Sequence, residues 1–447
     1  MRDSSNLLAA ADGKHAVYDG GSLDLPESIE VFKGALYAVS DSLPGRVHLL
    51  EQTALALLTR RHQLLVSRAG TGKSLYGAMV FSQFEGETFK AQFTQGTRLE
   101  TVLGGIDLEL FNQGKLWHNT AHSLISADFA YLDEFMNAND LVLEAILGIL
   151  NERKFAEGEQ QEDARLHTAL AMTNHLKLSI IAEPILDRFM FKASIDPRGN
   201  MLDDILIDLA YEKHHGRPTP VAHPIPLEVL QHMSDVVQGL DADQHVHAAH
   251  SMLFLKNDLI ERYATLDARQ HHGNGAHPGE PKSAADLYIS PRTKAASRDV
   301  LNAAALLHHR FEVQKDDLAA LRFVLTTVAG NDRTAMNGTE DTFAQALHTT
   351  SQSYSNEDLQ QVDELTTIAQ NFMWYANGTP LEAQGPNHAI VRLFLALIGK
   401  SSWREVNHET FVDALKAKTI ANGRVNALRE EILGDILAHE YDEQHAG

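Results

Sequence analysis

The 447-residue chain has no cysteine. That excludes disulfides, iron–sulfur clusters, thiol nucleophiles and cysteine-based zinc sites. It also lacks any run of about 18 apolar residues, the length a membrane span requires. The strongest candidate, Ala389 to Gly399, is short and contains Arg392. The apolar patch Leu7 to Ala11 is too short for a secretory signal, so a soluble, cytoplasmic protein without a membrane span is expected. Positive charge is scarce: 38 Lys and Arg face 60 Asp and Glu, a net charge of −22. So acidic a chain repels phosphate backbones and argues against nucleic-acid coating, although a local basic channel stays open.

What remains is ordinary globular composition, 44% hydrophobic and 22% charged. At roughly 150 residues per domain, the length suggests two or three domains. A helical pattern runs from Pro44-Gly45 through Leu49, Leu50, Ala54, Leu57 and Leu58 to Arg60-Arg61. The run Gln63 to Val66 then reads as a buried strand, and a helix follows over about Lys73 to Phe84. Further apolar strands are expected at Phe129 to Leu132 and Thr168 to Met172, with an amphipathic helix over about Asp140 to Asn151 between them. Strands alternating with helices argue for an α/β domain with a parallel sheet. Beyond about Pro197 the pattern is helical, with breaks at Lys213 to Pro226, Arg269 to Ser283 and Gly330 to Thr342.

Two motifs carry chemistry. Ser67-Arg68-Ala69-Gly70-Thr71-Gly72-Lys73-Ser74 joins the first strand to its helix and fits a phosphate-binding loop, with Ser67 where the pattern has glycine. Gly70 and Gly72 let backbone N–H groups curl round phosphate oxygens at a helix N-terminus. Lys73 would reach the β- and γ-phosphates, and the Ser74 hydroxyl would face Mg²⁺. Asp133 and Glu134 end a strand 60 residues beyond Lys73. Asp133 suits Mg²⁺ binding, and Glu134 suits a general base that polarises water. An acidic pair at a helix start is the plainer reading of the same two residues.

These motifs and those that follow resemble an AAA+ ATPase of the MoxR family, nearest its RavA-like branch. Ala69 to Ser74 is similar to Walker A, and Leu132-Asp133-Glu134-Phe135 to Walker B. Ala145 to Phe155, containing Asn151-Glu152-Arg153, resembles the helix that follows Walker B. Ala171-Met172-Thr173-Asn174 resembles sensor 1, Leu186-Asp187-Arg188-Phe189 the "DRF" segment, and Ile289-Ser290-Pro291-Arg292 the start of the sensor 2 helix. The likeness covers about residues 31–330, and residues 331–447 match no carboxy-terminal domain of the family.

The resemblance implies a P-loop AAA+ core over 31–197, a helical lid over 198–330 and a helical carboxy-terminal domain over 331–447, after a leader over 1–30. It implies ATP and Mg²⁺ as cofactors. Asn174 would position water, and Arg188 would be a finger reaching a neighbour's nucleotide. Arg292 would contact the nucleotide from the lid of its own subunit, with Arg298 as the rival on the same helix. Gly104 to Trp117 resembles a helix 2 insert. Arg153 to His167 resembles the hairpin before sensor 1, and both would face a ring pore. A homohexamer working on protein complexes is implied, often with a von Willebrand factor A domain partner. A nucleic-acid-translocating ATPase and a nucleotide-switched scaffold are the rival functions. The histidine groups His245, His247, His250 and His271, His272, His277 read as solvated rather than metal-binding. The basic patches Arg60-Arg61 and Lys213 to Arg217 are too small to signal nucleic acid. The pattern Phe411, Leu415, Ile420, Val425, Leu428, Ile432, Ile436 reads as the core of a helical domain or a face for a partner helix.

Overall fold

The computed structural model describes the chain except residues 1–5, 11–13, 69, 175–186, 196–200, 219, 273–288, 330–337, 378–386, 401–402 and 446–447. Ala69, Leu186 and His277 therefore lie outside the described residues. The chain forms two compact units, Met1–Ala248 with Tyr263–Gln345, and Ala249–Arg262 with Ala346–Gly447.

The first unit opens before residue 31. Leu7 and Leu8 are buried, and the Leu7 N–H donates to Glu51 Oε1 at 2.8 Å. Helix α1 (Leu25–Ser42) starts with a capping box in which Asp24 and Glu27 each accept from the other's backbone N–H. Then come α2 (Val47–Leu58), β1 (Gln63–Ser67), α3 (Lys73–Phe81) and β2 (Thr88–Gln92). After the short helices α4 (Glu100–Leu103) and α5 (Leu108–Asn112) come β3 (Phe129–Asp133), α6 (Asp140–Glu152), the hairpin β4 (Lys154–Glu157) and β5 (Gln160–Asp163), β6 (Thr168–Thr173) and β7 (Phe191–Ile195).

The main sheet is parallel throughout, in the order β2-β3-β6-β1-β7-β8, where β8 is Val328–Ala329. Its middle strands are covered on both faces, and every residue of β6 is buried. That is why they read as continuous apolar runs. The two-residue β8 corrects the expectation that strands cease near Pro197. A pairing this short leaves no periodicity to find. Helix α3 lies close on β3 because position 77 has no side chain: a Cβ at Gly77 would fall 2.3 Å from the Tyr131 ring. Helix α6 is capped by Asn139, which accepts from the Val142 N–H at 3.1 Å, and buries Val142, Leu143, Ile146, Leu147, Ile149 and Leu150.

The expected hairpin over 153–167 is present and bonds to the segment after α5. His118 is 5% exposed, with Nδ1 2.9 Å from the Gly104 carbonyl and Nε2 3.0 Å from the Glu157 carboxylate. Its backbone N–H donates to Gln160 Oε1 at 2.7 Å, and its carbonyl accepts from Gln160 Nε2 at 3.0 Å.

Helices α7 (Met201–His214), α8 (Leu227–Gln238), α10 (Pro291–Leu307) and α11 (Arg322–Leu325) complete the first unit, which shares α9 (His250–His272) with the second. The second unit holds α13 (Asn356–Ala376), α14 (Asn387–Leu397), α15 (His408–Lys416), α16 (Gly423–His445) and the end of α12 (Gly338–Gln352). Phe411, Leu415, Val425, Ile432 and Ile436 are buried there, as a core role requires, while Ile420 and Leu428 are half-buried. Phe372, Phe394 and Phe411 pack ring on ring. Buried Asp258 is held by Arg262 at 2.6 Å and by Arg424. Among the described residues, no helix is long and apolar enough to cross a membrane. The fold is the expected one: a parallel α/β sheet flanked by helices, followed by a helical carboxy-terminal region.

Candidate functional site

Strand order assembles the first half of the site. β6 lies between β1 and β3, so residues just beyond the carboxyl ends of the three strands meet. β1 delivers the phosphate loop, β3 delivers Asp133 and Glu134, and β6 delivers Asn174. Ligands of open α/β sheets bind at this edge.

In the loop, Gly70 and Gly72 have φ of 83° and 80°, in the left-handed region that favours glycine. No atom lies within 4 Å of where a Gly70 Cβ would stand, so the loop faces open space. Gly72 is the N-cap of α3, and the helix's free N–H groups point at that space. The departure at Ser67 acts as a staple. Its buried Oγ bonds the Thr71 hydroxyl, and Thr71 Oγ1 donates to the Arg68 carbonyl at 3.0 Å.

Lys73 is 7% exposed and donates to the Ser67 carbonyl at 2.6 Å and to Asn174 Oδ1. Asn174 Nδ2 in turn donates to Glu134 Oε1, while Asn137 Nδ2 donates to Glu134 Oε2 at 3.0 Å. Lysine, asparagine and glutamate thus form one bonded chain. Burial pushes the Lys73 ammonium below its ordinary pKa, and the charges of Glu134 and then Asp133 partly hold it up. Glu134 itself has φ 52°, and its N–H is held by Asp133 Oδ1 at 3.0 Å. Ser74 is exposed at the first turn of α3, and Asp133 is half-buried. A buried cation, an open glycine cradle, an exposed hydroxyl and a half-buried carboxylate fit a magnesium nucleotide. Lys73 and the loop N–H groups would hold its phosphates, and Ser74 and Asp133 its metal.

The remaining expected residues lie elsewhere. Arg188 and Arg292 line a small crevice of about 50 Å³ with Arg60, Arg61, Asn151 and Arg153. Arg60, Arg61 and His62 lead into the amino end of β1, whereas the phosphate loop leaves its carboxyl end. At about 3.3 Å per residue, the five-residue strand separates the two sites by roughly 16 Å. The structure therefore corrects the placing of Arg292. It does not reach its own subunit's loop from the lid but bonds Asn151 Oδ1 at the far end of the sheet. Ser290 caps its helix by accepting from the Thr293 N–H at 3.2 Å, and Pro291 stands at the first helical position. Arg298 is exposed on the same helix. His245 and His247 are exposed. Among the described residues the one group spaced like metal ligands is His308, Asp316 and Asp317. Arg310 already pairs with both aspartates, at 3.0 and 2.5 Å. Sequence reasoning missed Asn137 and Gly77. Asn137 lies three residues past Glu134, one turn on, which was the available signal.

Residues 30–229 match the family model described as the MoxR domain in the MoxR-vWA-beta-propeller ternary systems. Over 270 residues, 60% of this chain, the sequence is 23% and 27% identical to two uncharacterized proteins of Methanocaldococcus jannaschii. The chain spans 63% and 64% of the length of those relatives. It is 25% identical to the chaperone MoxR1 of Mycobacterium tuberculosis over 191 residues, 42% of this chain and 50% of that one. A crystal structure of "a putative ATPase" from Cytophaga hutchinsonii matches with a TM-score of 0.50 and 16% identity, over 74% of this chain and 97% of that one. These likenesses support a MoxR-type AAA+ reading of the α/β core.

Proposed function

We propose that this protein is an ATP-hydrolysing AAA+ remodelling factor that works on protein complexes as a ring, a homohexamer in the resemblance. The carrying observation is the Lys73–Asn174–Glu134 chain over an open phosphate loop. A bound Mg²⁺ would neutralise phosphate charge. Lys73 exchanges Asn174 and the Ser67 carbonyl for phosphate oxygens when nucleotide enters. Asn174 and Asn137 then hold Glu134 in orientation, so that its carboxylate accepts the proton of the attacking water. Arg188 faces away from this site and acts on the nucleotide of an adjoining subunit, where a fixed guanidinium stabilises developing charge. Arg292 shares its crevice and direction.

Two features support a protein rather than a nucleic-acid client. The net charge is −22, and the matched family domain belongs to systems that include a von Willebrand factor A component. A partner with that domain is the first to seek. The RavA-like branch rests on motif resemblance alone. Glu134→Gln tests the chemistry, because its amide cannot take the proton. ATP binding by calorimetry should persist, while phosphate release falls by about 10²–10⁴-fold. Wild-type turnover in this variant would end the general-base assignment.

A further inference from the structure

The metal side of the phosphate site holds a buried polar atom with no task so far. Tyr131 lies on β3 two residues before Asp133, and alternation along a strand puts both on one face of the sheet. That face meets α3. A Cβ at Gly77 would fall 2.3 and 2.4 Å from two carbons of the Tyr131 ring, so the ring packs directly on the helix backbone at that position. Ser74 is three residues earlier on α3, on the same helix face and one turn closer to the loop.

Tyr131 is 9% exposed, and its Oη is buried without a hydrogen-bond partner among the described residues. A hydroxyl left unpaired away from water is costly, so such an atom calls for an explanation. Packing alone does not supply one, because phenylalanine would fill the same space at Gly77 without the stranded hydroxyl. Burial raises the phenol to about 12; the Ser74 hydroxyl acts against that shift as a hydrogen-bonding group, and the charges of Asp133 and Glu134 add to it. Oη therefore stands within the influence of Ser74, but the bond between them is not closed.

We infer that Tyr131 is a positioning residue for the metal: when a magnesium nucleotide is bound, its Oη–H donates to Ser74 Oγ and fixes the rotamer in which Ser74 offers its other lone pair to the cation. The inference rests on the reading of Ser74 and Asp133 as the magnesium site and adds a residue outside both motifs.

The chemistry of the groups fits. A serine hydroxyl has one proton and two lone pairs. One lone pair can accept from the phenol while the other faces the cation, and the proton can turn to the Asp133 carboxylate. Ser74 is exposed, and alone its side chain would rotate among staggered wells. The ring held against Gly77 cannot follow it, so the phenol acts as a fixed peg. Mg²⁺ demands near-ideal octahedral geometry, which makes a ligand oxygen held in place worth more to it.

Tyr131→Phe keeps the packed ring and removes one oxygen. The test is binding of a non-hydrolysable ATP analogue to the full chain, followed by calorimetry across a magnesium series and in EDTA. The variant should need about 3–10-fold more Mg²⁺ for half-maximal affinity, the worth of one hydrogen bond. Its affinity in EDTA should match the wild type, and its urea midpoint should not fall. Ser74→Ala should shift the magnesium series at least as far, and adding Tyr131→Phe to it should change nothing more, because the phenol acts through Ser74 Oγ. An unmoved magnesium requirement in Tyr131→Phe overturns the inference. So does an equal loss in EDTA, which would make the phenol a prop for the loop, or a lowered urea midpoint, which would make it a bond of the fold. Additive losses in the double variant also overturn it, since Tyr131 would then act apart from Ser74. If Ser74→Ala itself leaves the magnesium series unmoved, the metal reading of Ser74 falls, and the inference with it.

Discussion

The two ends of the parallel sheet are built on opposite principles. At the carboxyl end, charges are matched within the chain: Lys73 meets Asn174, Asn174 meets Glu134, and Asp133 steadies the Glu134 backbone. At the amino end, five arginines gather with Asp187 in one crevice, where Arg61 lies 3.8 Å from Asp299 and Arg292 bonds Asn151. A satisfied end needs only a ligand small enough to displace one lysine contact. The difference teaches that residues grouped by one sequence pattern can be sorted by the fold to opposite ends of one sheet.

The largest expected effect breaks this comparison directly. Arg188→Ala should leave nucleotide binding intact and reduce phosphate release by up to roughly 10³–10⁵, the range known for arginine fingers in GTPases. Mixing with Glu134→Gln should restore part of it. A fully active monomer would remove the amino end from the chemistry altogether. Lys73→Ala should act oppositely and lose nucleotide binding in calorimetry, because Lys73 is the buried cation bonded to the Ser67 carbonyl of the loop. Retained micromolar affinity would mean that the loop N–H groups suffice.

Smaller effects sharpen the contrast through stability. Gly77→Ala drives a methyl to 2.3 Å from the Tyr131 ring, under the helix that carries Lys73. The gain in helix propensity, at most about 1 kcal/mol, loses to overpacking worth about 1–3 kcal/mol. Urea unfolding should show the net loss, and an unchanged midpoint would contradict the packing.

The mildest test concerns the amino end. His62 is held neutral between the Leu150 carbonyl and the Ala169 N–H, with its pKa lowered from 6.5 to about 3. A depressed histidine contributes stability that is fully present above pH 6.5 and lost as pH falls from there towards 3. Between pH 5.5 and 4.5 the loss should approach about 1.4 kcal/mol, the energy of one pH unit for one proton. His62→Gln can keep both hydrogen bonds and should flatten that slope. An equally steep slope in the variant would shift the effect to His167, which burial also holds well below its ordinary value.

The carboxyl end was legible in sequence because its chemistry is local. A loop of fixed spacing and an apolar strand ending in Asp133-Glu134 announce themselves, and β6 was visible as an unbroken apolar run. The amino end was not, because Arg60-Arg61, Asn151, Arg188 and Arg292 come from four distant segments, and nothing in a two-arginine patch says what it faces. The same reason hid the Arg292 position: a helix start can be read from Ser290-Pro291, but not the place where that helix docks. Strands β2 and β7 interleave lysines with apolar residues, and β8 has two residues, so none gave a period to follow.

His118 fixes a unit of exchange for anyone building chimeras of this chain. It ties the segment after α5 to the β4–β5 hairpin through Glu157 and Gln160 and closes that segment on the Gly104 carbonyl, and Thr120 adds a bond to Glu162 at 2.8 Å. A Cβ at Gly104 would lie 1.9 Å from the Asn119 carbonyl oxygen, so the closure of the first segment tolerates no side chain there. Residues 104–120 and 153–163 therefore behave as one cartridge. Transplanting residues 104–120 alone would bring a buried imidazole without its partners, and transplanting 153–163 alone would bring Glu157 and Gln160 without theirs, whereas moving both would carry the whole grip from one protein to another.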